Sequence, residues 1–162
     1  MPPKLSAGLL LYGFRERGLE VFLVHPGGPF WRKKDAGAWS LPKGEYLPGE
    51  DALAAAQREF QEETGFPPPE GDYVPLGELR QPGGKVVTAW AVKIDRDGDY
   101  PSDQIQGNSF SMEWPPKSGC MQQFPEVDRA AWFPLATAKT KIVPGQAAFL
   151  DRLAAYLAGA ER

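Results

Sequence analysis

The chain has 162 residues and a mass of 17.8 kDa, enough to bury one core and too few for two. Hydrophobic residues make up 42%, aromatics 12% and charged residues 24%, a globular composition, and a net charge of −3 excludes the dominant positive field that grips nucleic acid by its backbone. No apolar run nears the roughly 18 residues of a membrane helix, no signal-peptide core follows Met1-Pro2-Pro3-Lys4, and one cysteine (Cys120) with one histidine (His25) excludes an internal disulfide and a Cys/His metal cluster. A cytoplasmic protein with one domain over 1–162 is expected, in which any metal is held by oxygens.

Leu5 to Phe14 (LSAGLLLYGF) is an apolar run without helical period and reads as a buried strand. Arg15-Glu16-Arg17-Gly18 turns the chain into a β-rich segment, Leu19 to Val24, and the two predict a hairpin. His25 then reads as a structural strand-end residue, and a loop runs on to Trp39. A helix is expected from about Gly49 to Thr64: Pro48-Gly49-Glu50-Asp51 supplies a breaker and early acids, Gly65 a stop, and Pro67-Pro68-Pro69 forbids continuation. Tyr73 to Leu79 and Lys85 to Ile94 read as strands around the turn Gln81-Pro82-Gly83-Gly84. Residues 95 to 125 show no period but hold Phe110, Trp114 and Phe124, which predicts a long loop anchored by aromatics. Ala130 to Phe133 is a short strand, Leu135 to Thr140 one or two helical turns, and Gly145 to Leu157 a helix.

The chemistry concentrates on the first helix. Glu59, Glu62 and Glu63 stand at i, i+3 and i+4, so their carboxylates share one face. Leu53, Ala56 and Phe60 form the adjoining stripe that would dock on the sheet. Three acids so close repel one another unless something positive lies over them, and an all-carboxylate set suits Mg²⁺ or Mn²⁺. The wider stretch reads GEYLPGEDALAAAQREFQEETGF: Gly44, five residues, Glu50, seven residues, Arg58-Glu59, two residues, Glu62-Glu63, one residue, Gly65 and an apolar Phe66. This resembles the signature of the Nudix hydrolases at every fixed position, with Phe60 where the family more often has an aliphatic residue. The order of hairpin, helix, strands and closing helix is similar too. The resemblance implies a Nudix-type α/β/α sandwich with a mixed β-sheet.

It also implies a hydrolase that cleaves a nucleoside diphosphate linked to another group, by water attack on phosphorus with Mg²⁺ or Mn²⁺. On this chain the implied metal ligands are Glu59, Glu62, Glu63 and the carbonyl of Lys43, and Gly44 would let the backbone turn tightly. Arg58 would orient the carboxylates and Glu50 would pair with it. Glu126, on the loop entering the last strand, is the candidate for an extra acidic ligand or base, with Glu113 as its rival. The catalytic set is therefore Glu62, Glu63, Glu126 and Arg58. The Lys43 side chain and Arg32 are candidates for phosphate, and Trp39 and Trp114, with Trp31 and Phe110, for stacking on a base.

Trp39 to Glu45 (WSLPKGE) resembles the diadenosine polyphosphate hydrolase branch, and a dinucleoside polyphosphate or a nucleoside triphosphate is the favoured substrate. RNA 5′-pyrophosphohydrolases look similar here but with Gln in place of Lys43. A non-catalytic nucleotide sensor on the same fold typically lacks box glutamates, whereas Glu50, Glu59, Glu62 and Glu63 are all present. An isomerase of diphosphate lipids would want a Cys–Glu pair, and Cys120 lies in an unmatched loop. The expected partner is a small-molecule nucleotide, with neither a membrane nor strong nucleic-acid binding; the sequence leaves the oligomeric state open.

Overall fold

A computed structural model describes residues 3–95 and 98–160. Strand β1 (Leu5–Arg15) is the axis of the sheet. It pairs antiparallel with β2 (Gly18–Pro26) through residues 12–15 and with β3 (Lys43–Tyr46) through residues 5–8. On its other edge it pairs in parallel with β5 (Val86–Lys93), which pairs antiparallel with β4 (Tyr73–Arg80). β8 (Val127–Pro134) closes the other side against β2. The sheet is thus mixed and six-stranded, in the order β4-β5-β1-β2-β8 with β3 beside β1.

The unbroken apolar run of β1 follows from both faces being covered. Ala7, Leu9 and Leu11 join Phe22 and Val24 beneath helix α1 (Ala52–Thr64), around Ala55, Ala56 and Phe60. Leu10 and Tyr12 join Val21 and Leu23 on the opposite face, under Ala138 of α2 (Leu135–Lys141) and Phe149, Leu150 and Leu153 of α3 (Ala147–Ala160). The expected α/β/α sandwich is the observed architecture.

Helix α1 starts at Ala52 rather than near Gly49 because Asp51 caps it, accepting from the Ala54 N–H at 2.9 Å. It ends at Gly65, whose left-handed φ of 80° lets its N–H reach the Gln61 carbonyl at 2.8 Å. Phe60 is fully buried between Phe22 and Tyr100, with ring centroids 6.5 and 5.8 Å away. An aromatic residue fills that space where the family signature more often has an aliphatic one. The last helix begins two residues after the expected Gly145, following a single 3₁₀ turn at Pro144–Gln146.

Two expectations are corrected. The segment from 95 to 125 is not a plain loop: it contains a 3₁₀ turn (Ser102–Gln104) and a hairpin of β6 (Ser109–Glu113) and β7 (Met121–Pro125). Phe110 and Phe124 face each other across that hairpin, 6.0 Å between rings, and such cross-strand pairs hold an otherwise polar two-stranded ribbon. Residues Lys43–Tyr46, where Gly44 is expected to turn the backbone tightly, are strand β3, because their backbone groups find partners on β1.

Candidate active site

β1 and β2 pair only at their hairpin end, and the chain from Ser40 to Tyr46 runs between their open ends. Ser40 and Val24 exchange backbone hydrogen bonds of 2.8 and 2.9 Å, and the Leu9 N–H donates to the Pro42 carbonyl at 3.1 Å. This wedge lays Lys43 and Gly44 against the outer face of α1. The Lys43 N–H donates to the Glu63 carboxylate at 3.2 Å. A side chain on Gly44 would overlap the Glu59 carboxylate. Gly44 is therefore required for close approach, not for the tight turn that the family resemblance implies; it lies in extended β3, outside the left-handed region.

Arg58 sits among the acids. Its guanidinium donates to Glu50 at 2.7 Å and to Glu59 at 3.4 Å, and comes within 4.0 Å of Glu62. The second oxygen of Glu50 accepts the Leu47 N–H at 3.0 Å, which fixes the loop ahead of the helix. The cluster remains over-supplied with negative charge. Burial raises the Glu59 carboxyl above its ordinary range, with repulsion from Glu62 adding to it, although Arg58 opposes both. Burial pushes the Glu63 carboxyl up to about 8, against the pull of the Lys43 N–H and ammonium. The charge of Glu126, an exposed carboxylate, raises both groups further. Among the described residues no three His, Cys, Asp or Glu side chains converge on one point; the acids fan along one helix face with Arg58 between them. Oxygen donors only, partly buried and mutually repelling, fit a hard divalent cation.

A cavity of about 330 Å³ is lined by Lys43, Lys85, Ser40, Trp31, Gln81 and Gln146 among others; none of the three helix carboxylates lines it, and the backbone of Lys43 is its link to Glu63. Burial and the neighbouring Lys85 charge hold the Lys43 ammonium below its ordinary pKa. Two lysines at one end make the cavity attractive to an anion, while Lys85 also pairs with Glu45 at 3.1 Å. Trp31, 40% exposed, offers a ring at the rim. Lys85, Ser40, Gln81 and Gln146 escape sequence reasoning because they come from three distant segments and carry no spacing signal.

Other sequence candidates lie elsewhere. Trp39 is 5% exposed, edge-packed against His25 and Phe133 (5.1 and 4.9 Å), with its indole N–H donating to Asp35 at 2.8 Å. It is a core residue with no face left for a base, which corrects the expectation of stacking. Arg32 lines a separate recess of about 140 Å³ with Phe124 and Asp128. Trp114 packs edge-on against Phe30 at 5.3 Å. Neither lines the cavity beside Lys43. Glu113 accepts the Lys117 N–H at 2.7 Å, tied into the turn of its own hairpin. His25 is fully buried between Asp128 (2.9 Å) and the Lys34 carbonyl (2.5 Å), a structural role.

Comparison with known proteins agrees with this geometry. The fold is similar to that of an Ap4A hydrolase from C. elegans in a binary complex, with a TM-score of 0.67 and 24% identity over 95% of this chain and 98% of that one. It is also similar to the NUDIX domain of NrtR from Shewanella oneidensis complexed with ADP ribose (TM-score 0.63, 19% identity, 97% and 90% covered). A mutT/nudix family protein from Listeria innocua gives a TM-score of 0.64 at 17% identity, with 99% and 97% covered. In sequence, an RNA pyrophosphohydrolase from Rhodopseudomonas palustris (strain BisA53) is 38% identical over 64 residues, spanning 40% of this chain and 35% of that relative's length. The NUDIX domain profile matches residues 2–153, nearly the whole chain including every element that builds the acidic cluster and its cavity, and the chain belongs to the NUDIX family.

Proposed function

We propose that the protein is a cytoplasmic, Mg²⁺- or Mn²⁺-dependent pyrophosphohydrolase that cleaves the phosphoanhydride of a nucleoside diphosphate linked to a further group. A dinucleoside polyphosphate or a nucleoside triphosphate is the favoured substrate. The observation that carries this reading is the carboxylate face of α1 tied through Glu63 to the backbone of Lys43, whose residue lines a cavity together with Lys85. Such a site suits a substrate that is anionic along its chain and bears a planar base at its end.

In this proposal Glu59, Glu62, Glu63 and the Lys43 carbonyl hold the cation. Bound there, Mg²⁺ or Mn²⁺ would supply charge neutralisation on the diphosphate and a more acidic water. Arg58 keeps the carboxylates apart and aimed, braced by Glu50. Lys43 and Lys85 bind phosphate oxygens, and Trp31 stacks on the base. Glu126, whose charge acts on Glu59 and Glu63, orients the attacking water and accepts its proton. Water attacks phosphorus, the bridging P–O bond breaks, and the leaving phosphate takes the bond's electron pair.

A panel of dinucleoside polyphosphates, nucleoside triphosphates, nucleotide sugars and 5′-triphosphate RNA, run in ¹⁸O-labelled water, tests the reading. Hydrolysis that depends on a phosphoanhydride and places the label on a phosphate product is expected. Nucleotide binding without turnover on every compound would make the chain a sensor instead. The RNA substrate earns its place from the 38% identity over 64 residues to an RNA pyrophosphohydrolase.

A further inference from the structure

Residues 106–108 run along the C-terminal end of α1. The Gln106 N–H donates to the Thr64 carbonyl at 2.8 Å, and the Asn108 N–H to the Glu62 carbonyl at 2.9 Å. The carbonyl of Asn108 accepts the Glu126 N–H at 2.9 Å, and the Glu126 carbonyl accepts the Gly27 N–H at 2.9 Å. A continuous backbone path therefore links Glu62 through Asn108 to Glu126 and on to the end of β2. Two glycines make the approach possible. A Cβ on Gly65 would overlap the Gln106 carbonyl, and one on Gly107 would overlap the carbonyls of Glu63 and Glu62. Gly65 also needs its left-handed φ, whereas Gly107 is outside that region. Alanine at 107 is thus opposed by the contact alone.

Helix ends leave carbonyls without intrahelical partners, and capping explains why some amide meets Glu62 and Thr64. The Asn108–Glu126 bond continues the β6–β7 register, in which Ser109 faces Pro125, so the residue that caps Glu62 is also the rung of the hairpin that holds the Glu126 amide. The geometry points to Gly107–Asn108 as a splint that sets Glu126 at a fixed distance from the box helix, with Gly107 a positioning residue for the reaction. This rests on the reading of Glu126 as the acid that orients water. Every bond in the splint is to backbone, so it holds Glu126 without adding a side chain to the site. The β6–β7 hairpin is rooted between Asn108 and Glu126, and any movement of it bears on the splint first.

The test compares Gly107→Ala, Glu126→Gln and the double variant on the best phosphoanhydride substrate at saturating Mg²⁺. Misplacing a catalytic group by an ångström costs up to about 100-fold. Gly107→Ala is expected to lower kcat by about tenfold or more, with KM changed less than about twofold. In the Glu126→Gln background the same change should cost less than about twofold, because the group it positions is gone. A second readout needs no turnover. In the metal-free protein, amide exchange at Asn108 and Glu126 should rise at least about tenfold in Gly107→Ala, with the core amides of β1 and β5 unchanged. Should Gly107→Ala fail to fold, Asn108→Pro removes the donor to Glu62 without a new side chain at 107, and the same kinetic results are expected, with exchange read at Glu126 alone. Fully additive losses, or unchanged exchange at Glu126, overturn the splint while leaving the base reading intact. A Glu126→Gln enzyme with wild-type kcat overturns the base reading, and the splint's role in the reaction with it.

Discussion

The Lys43 N–H donates to the Glu63 carboxylate at 3.2 Å, joining the strand wedged between β1 and β2 to the acidic face of α1. That bond alone does not offset the burial of a charge, and the Glu63 carboxyl is held at about 8. A carboxyl with its folded pKa above the unfolded value favours the fold while protonated. Its contribution is present in full below about pH 4.5 and is lost as pH rises through about 8. In EDTA, the wild type should therefore lose more stability between pH 5 and pH 8.5 than Glu63→Gln does. A difference of about 1–3 kcal/mol is expected. Thermal melts of both proteins at the two pH values measure it, and parallel pH dependences would contradict it.

Removal of the divalent cation should abolish turnover. Glu59, Glu62 and Glu63 crowd one helix face with Arg58 among them, and none of these groups acidifies water as a bound cation would. Glu62→Gln and Glu63→Gln should lower kcat by roughly 100-fold or more, the scale of losing one preorganised electrostatic contact. Glu63→Gln should do so while stabilising the metal-free protein at high pH, a pairing that separates a site residue from a structural one. Turnover that persists through exhaustive EDTA treatment would count against the whole assignment.

Arg58 bridges Glu50 at 2.7 Å, Glu59 at 3.4 Å and Glu62 at 4.0 Å. A planar guanidinium serves several carboxylates at once, and an ammonium on a flexible stem does not. Arg58→Lys should lower kcat by about tenfold and weaken Mn²⁺ binding. Because the group is half-exposed, the melting temperature should move little. Titration calorimetry with Mn²⁺ and steady-state rates check both parts.

The site's local half is readable from sequence because a helix converts spacing into geometry: Glu59, Glu62 and Glu63 share a face whatever else the chain does. Asp51 and Gly65 mark the helix ends for equally local reasons. What could not be read depends on distant partners. β3 is a strand only because β1 offers it an edge, and Lys85 meets Lys43 only because β5 lies parallel to β1. The β6–β7 ribbon alternates polar residues with little apolar signal beyond Phe110 and Phe124. Trp39 misleads for the opposite reason: nearness to the box in sequence places it in the wedge, and the wedge buries its ring.

Glu126 and Glu113 are separated by their tethers. Glu113 is spent on the Lys117 N–H within its own turn, whereas Glu126 raises the pKa of both Glu59 and Glu63 by its charge. Glu126→Gln should lower kcat by roughly 10- to 100-fold and alter KM far less, since the interaction matters mainly in the transition state. Glu113→Gln should leave both constants within about twofold of wild type. If Glu113→Gln is the more damaging change, the hairpin rather than the β7–β8 junction carries the acid.

The cavity beside Lys43 makes the last prediction. Lys85 lines the same cavity as Lys43, and its charge helps hold the Lys43 ammonium below its ordinary pKa. Removing Lys85 therefore has two effects. It takes away one phosphate contact, and it lets Lys43 keep its proton to higher pH. Lys85→Ala should raise KM by about tenfold with kcat nearly unchanged, the pattern of lost ground-state binding. The rise in KM at alkaline pH, where the wild type begins to lose the Lys43 charge, should move to higher pH in the variant. Trp31→Ala should raise KM by a similar factor for substrates with a base and leave inorganic polyphosphate unaffected, because the ring at the rim binds only the base. Trp39→Ala should instead lower stability by the roughly 3–5 kcal/mol typical of emptying a buried aromatic position, seen as a lower melting temperature. A KM profile against pH for wild type and Lys85→Ala, with melts of the two tryptophan variants, distinguishes the cavity from the core. A Trp31→Ala protein with unchanged KM on every nucleotide would move the base-binding surface elsewhere.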